Sequence, residues 1–364
     1  MSIPDDWIQV DHVRFSLEEI KSGNIPDSLD AYYQEALRFC RDWLNGKEHF
    51  QLTTSGSTGT PKKIDLTRNQ LIASARLSAA VLGLQKGFTA LVCLDIRYIA
   101  GLMMMVRSLE VGMHMIITSP SSNPLEKIDE CTIDFTALVP LQLDMLLASP
   151  QIDKLNKIKI VLIGGAPVTR KTIQAIKPMS CCFYLTYGMT ETLTHVALQK
   201  LNGSGAQEYF EVLPGITLRM DERGCLVIHA PHLGENPVIT NDLIEFKSPT
   251  QFRWLGRADT IINTGGIKVI PENIEAALDL ILNEMGIATR FFVAGLPDEK
   301  LGESVNLFIE GLRFSEQMEA VIQHRLKETL TRYECPKSIQ YVSGFINTDT
   351  GKVNKVKTLA SLRA

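Results

Sequence analysis

The residues Thr53–Lys63, TTSGSTGTPKK, combine hydroxyls, glycines and a lysine pair, with no apolar side chain before Ile64. Hydroxyls at Thr53, Thr54, Ser55, Ser57 and Thr58 can donate hydrogen bonds. Gly56 and Gly59 let the backbone turn tightly and bring its N–H groups near a ligand. Lys62 or Lys63 adds positive charge. Such a loop suits an anion with many acceptor oxygens, in practice a phosphate. It is not a Walker A loop, because Pro61 stands where GxxxxGK[ST] read from Gly56 needs glycine. Composition alone fits a polar surface loop equally well.

The elements that must position this loop can be read from the rest of the chain. A length of 364 residues exceeds what one hydrophobic core usually serves, so two domains are expected. A net charge of −4 without a dense Lys/Arg block argues against a nucleic-acid binder. The start, MSIPDDWIQVDHVRF, lacks a basic segment followed by an apolar core, so no export signal is read. Apolar runs such as Leu91–Leu94 fall far short of the ~20 residues a membrane helix needs. Seven cysteines with no CxxC pair suggest reduced thiols in the cytoplasm. His229 and His232 have HxxH spacing, but Pro231 between them argues against a metal site.

Helical content is expected around Leu29–Leu44, and again after the loop with Thr67 as N-cap. Apolar runs then alternate with helical patterns: strand-like ALVCL, MHMIIT, FTALV, KIVLIGG and CCFYLTYG, and helical AGLMMMVRSLEVG, PLQLDMLLAS and TRKTIQAIK. Continuous apolar strands between helices imply an α/β fold with a mostly parallel sheet covered on both faces. Met103–Met105 read as core packing. After Leu213, Pro/Gly turns between short alternating strands suggest an antiparallel β portion. From Arg257 on, strand, strand, helix, strand form a small α+β unit. The expected domains are therefore 1–256 and 257–364.

TTSGSTGTPKK resembles the phosphate-binding signature of the adenylate-forming superfamily, which includes acyl- and aryl-CoA synthetases, adenylation domains and luciferases. Four further motifs follow in that family's order. They are TYGMTET (Thr186–Thr192), a shortened TND (Thr240–Asp242), GRADTIINTGGIKVIPENIE (Gly256–Glu275) and TDTGKVNK (Thr348–Lys355). The resemblance implies a two-step reaction: a carboxylate attacks the α-phosphate of ATP, and a thiol such as that of coenzyme A then displaces AMP.

It also implies roles. Thr54, Ser55, Gly56, Ser57, Thr58, Gly59 and Lys62 would grip the β- and γ-phosphates. Thr190 would bond the α-phosphate and Glu191 would hold Mg²⁺. Gly165, Ala166 and Tyr187 would border the adenine. Asp242 would take the ribose, with Arg257 on ribose or phosphate. Lys352 would bridge carboxylate and α-phosphate while the adenylate forms. Lys355 and Lys357 read as an exposed basic tail. Asp259 would be a hinge about which a mobile small domain rotates between steps. Gly265 and Gly266 would then line the path of the coenzyme A arm.

Fewer residues precede the phosphate loop than in typical members. In this, and in FTALVPLQLDMLL, VLIGGAPVTRKTI and TYGMTETLTHVAL, the chain resembles the subgroup that ligates o-succinylbenzoate to coenzyme A in menaquinone biosynthesis. Its substrate's second carboxylate needs a cation or several donors, and Arg97, Tyr98 and His195 are candidates by position. Another aryl or acyl acid, a carrier-protein thiol as acceptor, or a non-catalytic nucleotide binder are the alternatives, and a homodimer is left open.

Overall fold

A computed structural model describes residues 6–53, 63–128, 132–347 and 353–362. The phosphate-loop residues Thr54–Lys62 and the lysine Lys352 lie outside the described residues. By their contacts, residues Met1–Val168, Thr172–Thr217 and His229–Val238 form one compact unit; Thr169–Lys171, Leu218–Ile228 and Ile239–Ala364 form a second.

The first unit opens with a hairpin, β1 (Trp7–Val10) and β2 (Val13–Ser16), which the sequence reading missed. Ser16 caps α1 (Leu17–Ser22) in a reciprocal box with Glu19, and α2 is Ala31–Leu44. A second hairpin, β3 (His49–Thr53) and β4 (Lys63–Thr67), pairs Thr53 with Lys63. Thr67 then caps α3 (Arg68–Leu82) through Gln70, as its position predicts.

The alternation that follows is regular. It runs β5 (Thr89–Val92), α4 (Ile99–Val111), β6 (His114–Ile117), β7 (Phe135–Leu138), α5 (Pro140–Leu147), α6 (Ile152–Asn156), β8 (Ile160–Ile163), α7 (Arg170–Ile176) and β9 (Cys182–Gly188). β10 (His195–Lys200) and β11 (Phe210–Val212) complete a sheet ordered β11-β10-β9-β8-β7-β5-β6-β1-β2. From β9 through β1 every neighbouring pair is parallel. Those strands are predominantly apolar and mostly buried, as expected of a parallel sheet packed on both faces. Leu91, Leu138, Leu143, Val161, Ile163 and Phe183 pack into one core cluster. Met103, Met104 and Met105 are each 0 % exposed, so their role is packing, as read.

In the second unit β12 (Thr217–Met220), β13 (Cys225–His229), β14 (Val238–Ser248) and β15 (Gln251–Arg257) are neighbours in that order, β14 and β15 antiparallel. A separate sheet is ordered β17 (Ile267–Val269), β16 (Ile262–Thr264), β19 (Gly302–Glu310), β18 (Phe291–Asp298), with β20 (Ser338–Val342) parallel to β19. α8 (Pro271–Glu284) and α9 (Glu316–Thr329) supply Ile274, Leu278, Ile281, Ile322 and Leu326 to its core. Grouped by contacts, the strands from 218 on therefore go with the C-terminal residues.

One expectation is corrected here. Lys355 is not part of a free basic tail: it opens α10 (Lys355–Ser361), and its Nζ lies 2.7 Å from Glu275 Oε1 and over the Phe292 ring. Asn354 caps that helix by accepting from the Lys357 N–H, and Lys357 itself is exposed. The described cysteines, Cys40, Cys93, Cys181, Cys182, Cys225 and Cys335, are all free thiols. Among the described residues no helix is long and apolar enough to cross a membrane.

Candidate active site

In the first unit, two loop segments leave neighbouring parallel strands, β8 and β9. Gly164 follows β8, and a Cβ there would meet the Thr186 hydroxyl at 2.4 Å, so the turn backbone lies directly against β9. Gly165 has φ +89°, which glycine adopts without strain. The turn thus brings Gly165 and Ala166 near the strand that carries Tyr187. The Tyr187 ring is buried, edge-on to Phe210 at 5.8 Å.

β9 ends at Gly188, where the chain makes a tight turn through Thr190–Thr192 and returns as β10, His195 pairing with Gly188. A Cβ on Gly188 would lie 2.4 Å from the Thr194 carbonyl oxygen, so only glycine admits so close a return. Thr192 is fully buried and fastens the turn: Met189 N–H donates to its Oγ1 (3.0 Å), and its hydroxyl donates to the Thr194 carbonyl (2.7 Å). Leu193 is held at φ +64°, a region non-glycine residues rarely occupy.

Thr190 is half-buried at this turn and Glu191 is exposed. No described cation pairs with Glu191. A lone hard oxygen donor fits Mg²⁺, which takes one or two carboxylates and completes its shell from phosphate and water. Among the described residues no three His, Cys, Asp or Glu side chains are grouped to hold a metal unaided.

The substrate candidates fall into different settings. Arg97 is exposed and its guanidinium is engaged by Asp95 at 2.6–3.1 Å, so its donors already face a carboxylate two residues away. Those hydrogen bonds hold the guanidinium in its charged form more firmly than usual. Tyr98 stands at the N-cap of α4 without capping it through its side chain. His195 is buried, 6 % exposed, and its Nδ1 is 3.3 Å from Thr194 Oγ1. Burial, and then the charge of Arg107, push the imidazole well below its ordinary pKa, so it is neutral.

Arg107 itself was missed by sequence reasoning. It sits on α4, 2 % exposed, with Nη2 donating to Thr194 Oγ1 at 2.5 Å. Burial pushes its guanidinium down to about 10. The available signal was a single cation inside the apolar helix AGLMMMVRSL.

In the second unit, Asp242 and Arg257 face each other across β14 and β15. Asp242 is buried, and its backbone N–H donates to Thr240 Oγ1. Arg257 Nη1 is 3.7 Å from Asp242 Oδ1, while its Nε and Nη2 donate to both oxygens of Asp259 at 2.8 and 2.7 Å. Those hydrogen bonds keep the Asp259 carboxyl below its usual range. Thr260 donates to Glu272 Oε1 (3.0 Å), and burial raises the Glu272 carboxyl. Gly265 (φ +59°) and Gly266 (φ +81°) form the two-residue turn between β16 and β17, with Thr264 paired to Ile267. Two successive left-handed residues in such a turn account for both glycines on their own.

Comparison with known proteins places this arrangement. A model described as AMP-binding enzyme matches residues 49–222. A probable 2-succinylbenzoate–CoA ligase of Mycobacterium tuberculosis is 31 % identical over 84 % of this chain and 82 % of its own length. The chain belongs to the AMP-binding enzyme family. Within this adenylate-forming family, an acyl-CoA synthetase (AMP-forming)/AMP-acid ligase II-like protein from Dyadobacter fermentans is 39 % identical, with a TM-score of 0.63 over 93 % of this chain and 97 % of that one. The Bacillus subtilis o-succinylbenzoate coenzyme A synthetase, solved with ATP and magnesium, shares the fold at a TM-score of 0.71 and 20 % identity, over 85 % of this chain and 69 % of that one.

Proposed function

We propose that this AMP-binding enzyme is an AMP-forming acid–CoA ligase whose acid is o-succinylbenzoate. The observation that carries the proposal is the 31 % identity to a probable 2-succinylbenzoate–CoA ligase across 84 % of the chain. The first step joins a carboxylate oxygen to the α-phosphorus of ATP and breaks the bond to pyrophosphate. In the second, the coenzyme A sulfur attacks the acyl carbon and AMP leaves.

Two anions must meet in the first step, so the protein's contribution is fixed positive charge and N–H donors. Thr54, Ser55, Gly56, Ser57, Thr58, Gly59 and Lys62 hold the β- and γ-phosphates. Thr190 bonds the α-phosphate and Glu191 supplies a carboxylate to Mg²⁺, which would neutralise phosphate charge when bound. Gly165, Ala166 and Tyr187 border the adenine, and Asp242 accepts from the ribose hydroxyls. Arg257 holds Asp259 and stands beside Asp242. Lys352 bridges carboxylate and α-phosphate in the first step only. Residues 257–364 act as a lid that turns about Asp259 between the steps, and Gly265 and Gly266 border the coenzyme A arm. The dependence on ATP and coenzyme A suits the cytoplasm.

An assay for AMP release, with acid and coenzyme A each present or omitted, tests this reading. AMP and a succinylbenzoyl thioester identified by mass are the expected products. AMP without thioester until a carrier protein is added would redirect the reading to carrier loading. A thioester with a different aryl acid would replace the substrate, and no AMP with any acid would overturn the activity.

A further inference from the structure

Thr260 has one hydroxyl hydrogen and two oxygens that claim it. Its Oγ1 lies 2.9 Å from the Arg257 carbonyl oxygen and 3.0 Å from Glu272 Oε1. A carbonyl oxygen only accepts, and so does an ionised carboxylate. Were Glu272 ionised, one of the two contacts would set lone pair against lone pair at hydrogen-bond distance. A carboxylic acid removes the conflict: Glu272 donates to Thr260 Oγ1, and Thr260 gives its own hydrogen to the Arg257 carbonyl.

The surroundings of Glu272 fit a neutral acid. Its Oε2 is sealed from water and has no hydrogen-bond partner, which costs a carboxylate far more than the carbonyl oxygen of an acid. That oxygen lies against the Gly256 backbone, where a Cβ would meet it at 2.5 Å. The charged groups nearby are committed elsewhere. Arg257 on β15 donates to Asp259 and stands beside Asp242, and Lys355 on α10 is paired with Glu275 on α8. Burial holds the Glu272 carboxyl above its ordinary 4.5, although Lys355 pulls the other way.

These contacts join the two sides of Asp259. Thr260 and Glu272 follow it in the chain, and Gly256 and Arg257 precede it. A turn of the backbone at Asp259 would carry Thr260 and Glu272 together and part both from Arg257 and Gly256. Thr260 could then give its hydrogen to Glu272, and Oε2 would meet water. Both changes favour the carboxylate.

We propose that Glu272 is a positioning residue for the two-step reaction. As a neutral acid it locks the Arg257–Thr260 turn in the form seen here, and by giving its proton to water it lets that turn rotate. This rests on the reading of Asp259 as the hinge and names the group that sets the hinge's balance. The form seen here keeps the proton, so low pH favours it. Its share relative to the rotated form falls by up to about tenfold per pH unit above 4.5 and levels off beyond the raised pKa.

The direct test follows the side-chain carboxyl carbons of glutamate-labelled full-length protein by NMR through a pH titration. The signal absent from Glu272→Gln is that of Glu272. A midpoint above 4.5 is expected, and one at or below 4.5 overturns the proposal. The functional test takes the acid that yields AMP and measures both half-reactions by single turnover between about pH 5.5 and 8. Glutamine stays neutral and its amide still donates to Thr260 Oγ1, so Glu272→Gln should keep the turn locked. One half-reaction should stay within about twofold of wild type and the other fall about tenfold near neutral pH, the wild type approaching the variant as pH falls.

Thr260→Val, which removes the acceptor, should shift the ratio of the two rates the opposite way. Equal slowing of both steps by Glu272→Gln, or the same shift in both variants, overturns the positioning role. If Lys352→Ala separates the half-reactions and Glu272→Gln leaves their ratio unchanged, only this proposal falls. If Lys352→Ala fails to separate them, the lid reading falls and the proposal with it.

Discussion

Two short polar segments, one in each unit, handle charge in opposite ways. The turn from Thr190 to His195 is largely buried and fastened by its own hydroxyls and carbonyls, and the cation beside it, Arg107, has no acid partner among the described residues. The segment from Arg257 to Thr260 is half-exposed, and its charges are matched: Arg257 to Asp259 and Asp242, Thr260 to Glu272. Exposed, matched pairs are worth little and cost little to rearrange. A buried cation without a counter-charge among the described residues is costly to keep. The contrast is the one expected if the first segment holds the reacting groups and the second, as proposed, lies at a hinge.

The largest expected effects separate the two half-reactions. Lys352→Ala should lower adenylate formation by about 10³-fold or more, while thioester formation from supplied acyl-adenylate falls less than about tenfold. Glu191→Ala should match it in the first step if Glu191 holds Mg²⁺ as proposed, because its loss would remove stabilisation of phosphate charge. Both rates come from single-turnover assays with radiolabelled ATP or synthetic adenylate. Equal loss in both steps for Lys352→Ala would refute a lysine that serves one step only, and with it the contrast between a fixed turn and a moving lid.

Next in size are two glycine substitutions that probe stiffness. A Cβ on Gly188 meets only backbone, Thr194 O at 2.4 Å and His195 Cα at 2.5 Å, so the turn cannot yield without opening. Gly188→Ala should cost about 3 kcal/mol in denaturant unfolding. A Cβ on Gly256 instead meets side chains, Glu272 Oε2 at 2.5 Å and Ile270 Cγ2 at 2.6 Å. Gly256→Ala should cost about 2 kcal/mol and recover part of it in a Glu272→Ala background. Identical, unrescued losses would mean that the two segments are equally rigid.

Legibility in the sequence followed the same division. The parallel strands and their helices were readable because both-face burial writes continuous apolar runs, and Thr67 with Gln70 writes a capping box. The β1–β2 hairpin and β16–β17 are only three or four residues per strand, too short to show a period. Lys355 read as a tail because its partner, Glu275, is eighty residues away in sequence and no local pattern encodes that pairing. Motif positions such as Glu191, Asp242 and Arg257 were legible as residue types, and Arg97 was placed by the same means. Arg107 was not, because its significance lies in what does not surround it, and absence of a partner is visible only in three dimensions.

The smallest effect concerns pH, and its sign differs between the two segments. His195 is held neutral, with its folded pKa well below the unfolded value near 6.5. The unfolded chain therefore binds the extra proton first, and stability is lost as pH falls below about 6.5, by up to ~1.4 kcal/mol per pH unit until the folded pKa is reached. His195→Gln should flatten that part of the profile. Glu272 has the opposite bias: burial raises its folded pKa above the ordinary 4.5. Its contribution is full below 4.5 and disappears as pH rises through the raised value, so Glu272→Gln should gain stability relative to wild type toward neutral pH. Urea unfolding of both variants and the wild type between about pH 4 and 7.5 reads the two slopes. If His195→Gln keeps the wild-type slope, the imidazole is not held neutral by its burial beside Arg107, and the contrast between the two segments loses its electrostatic basis.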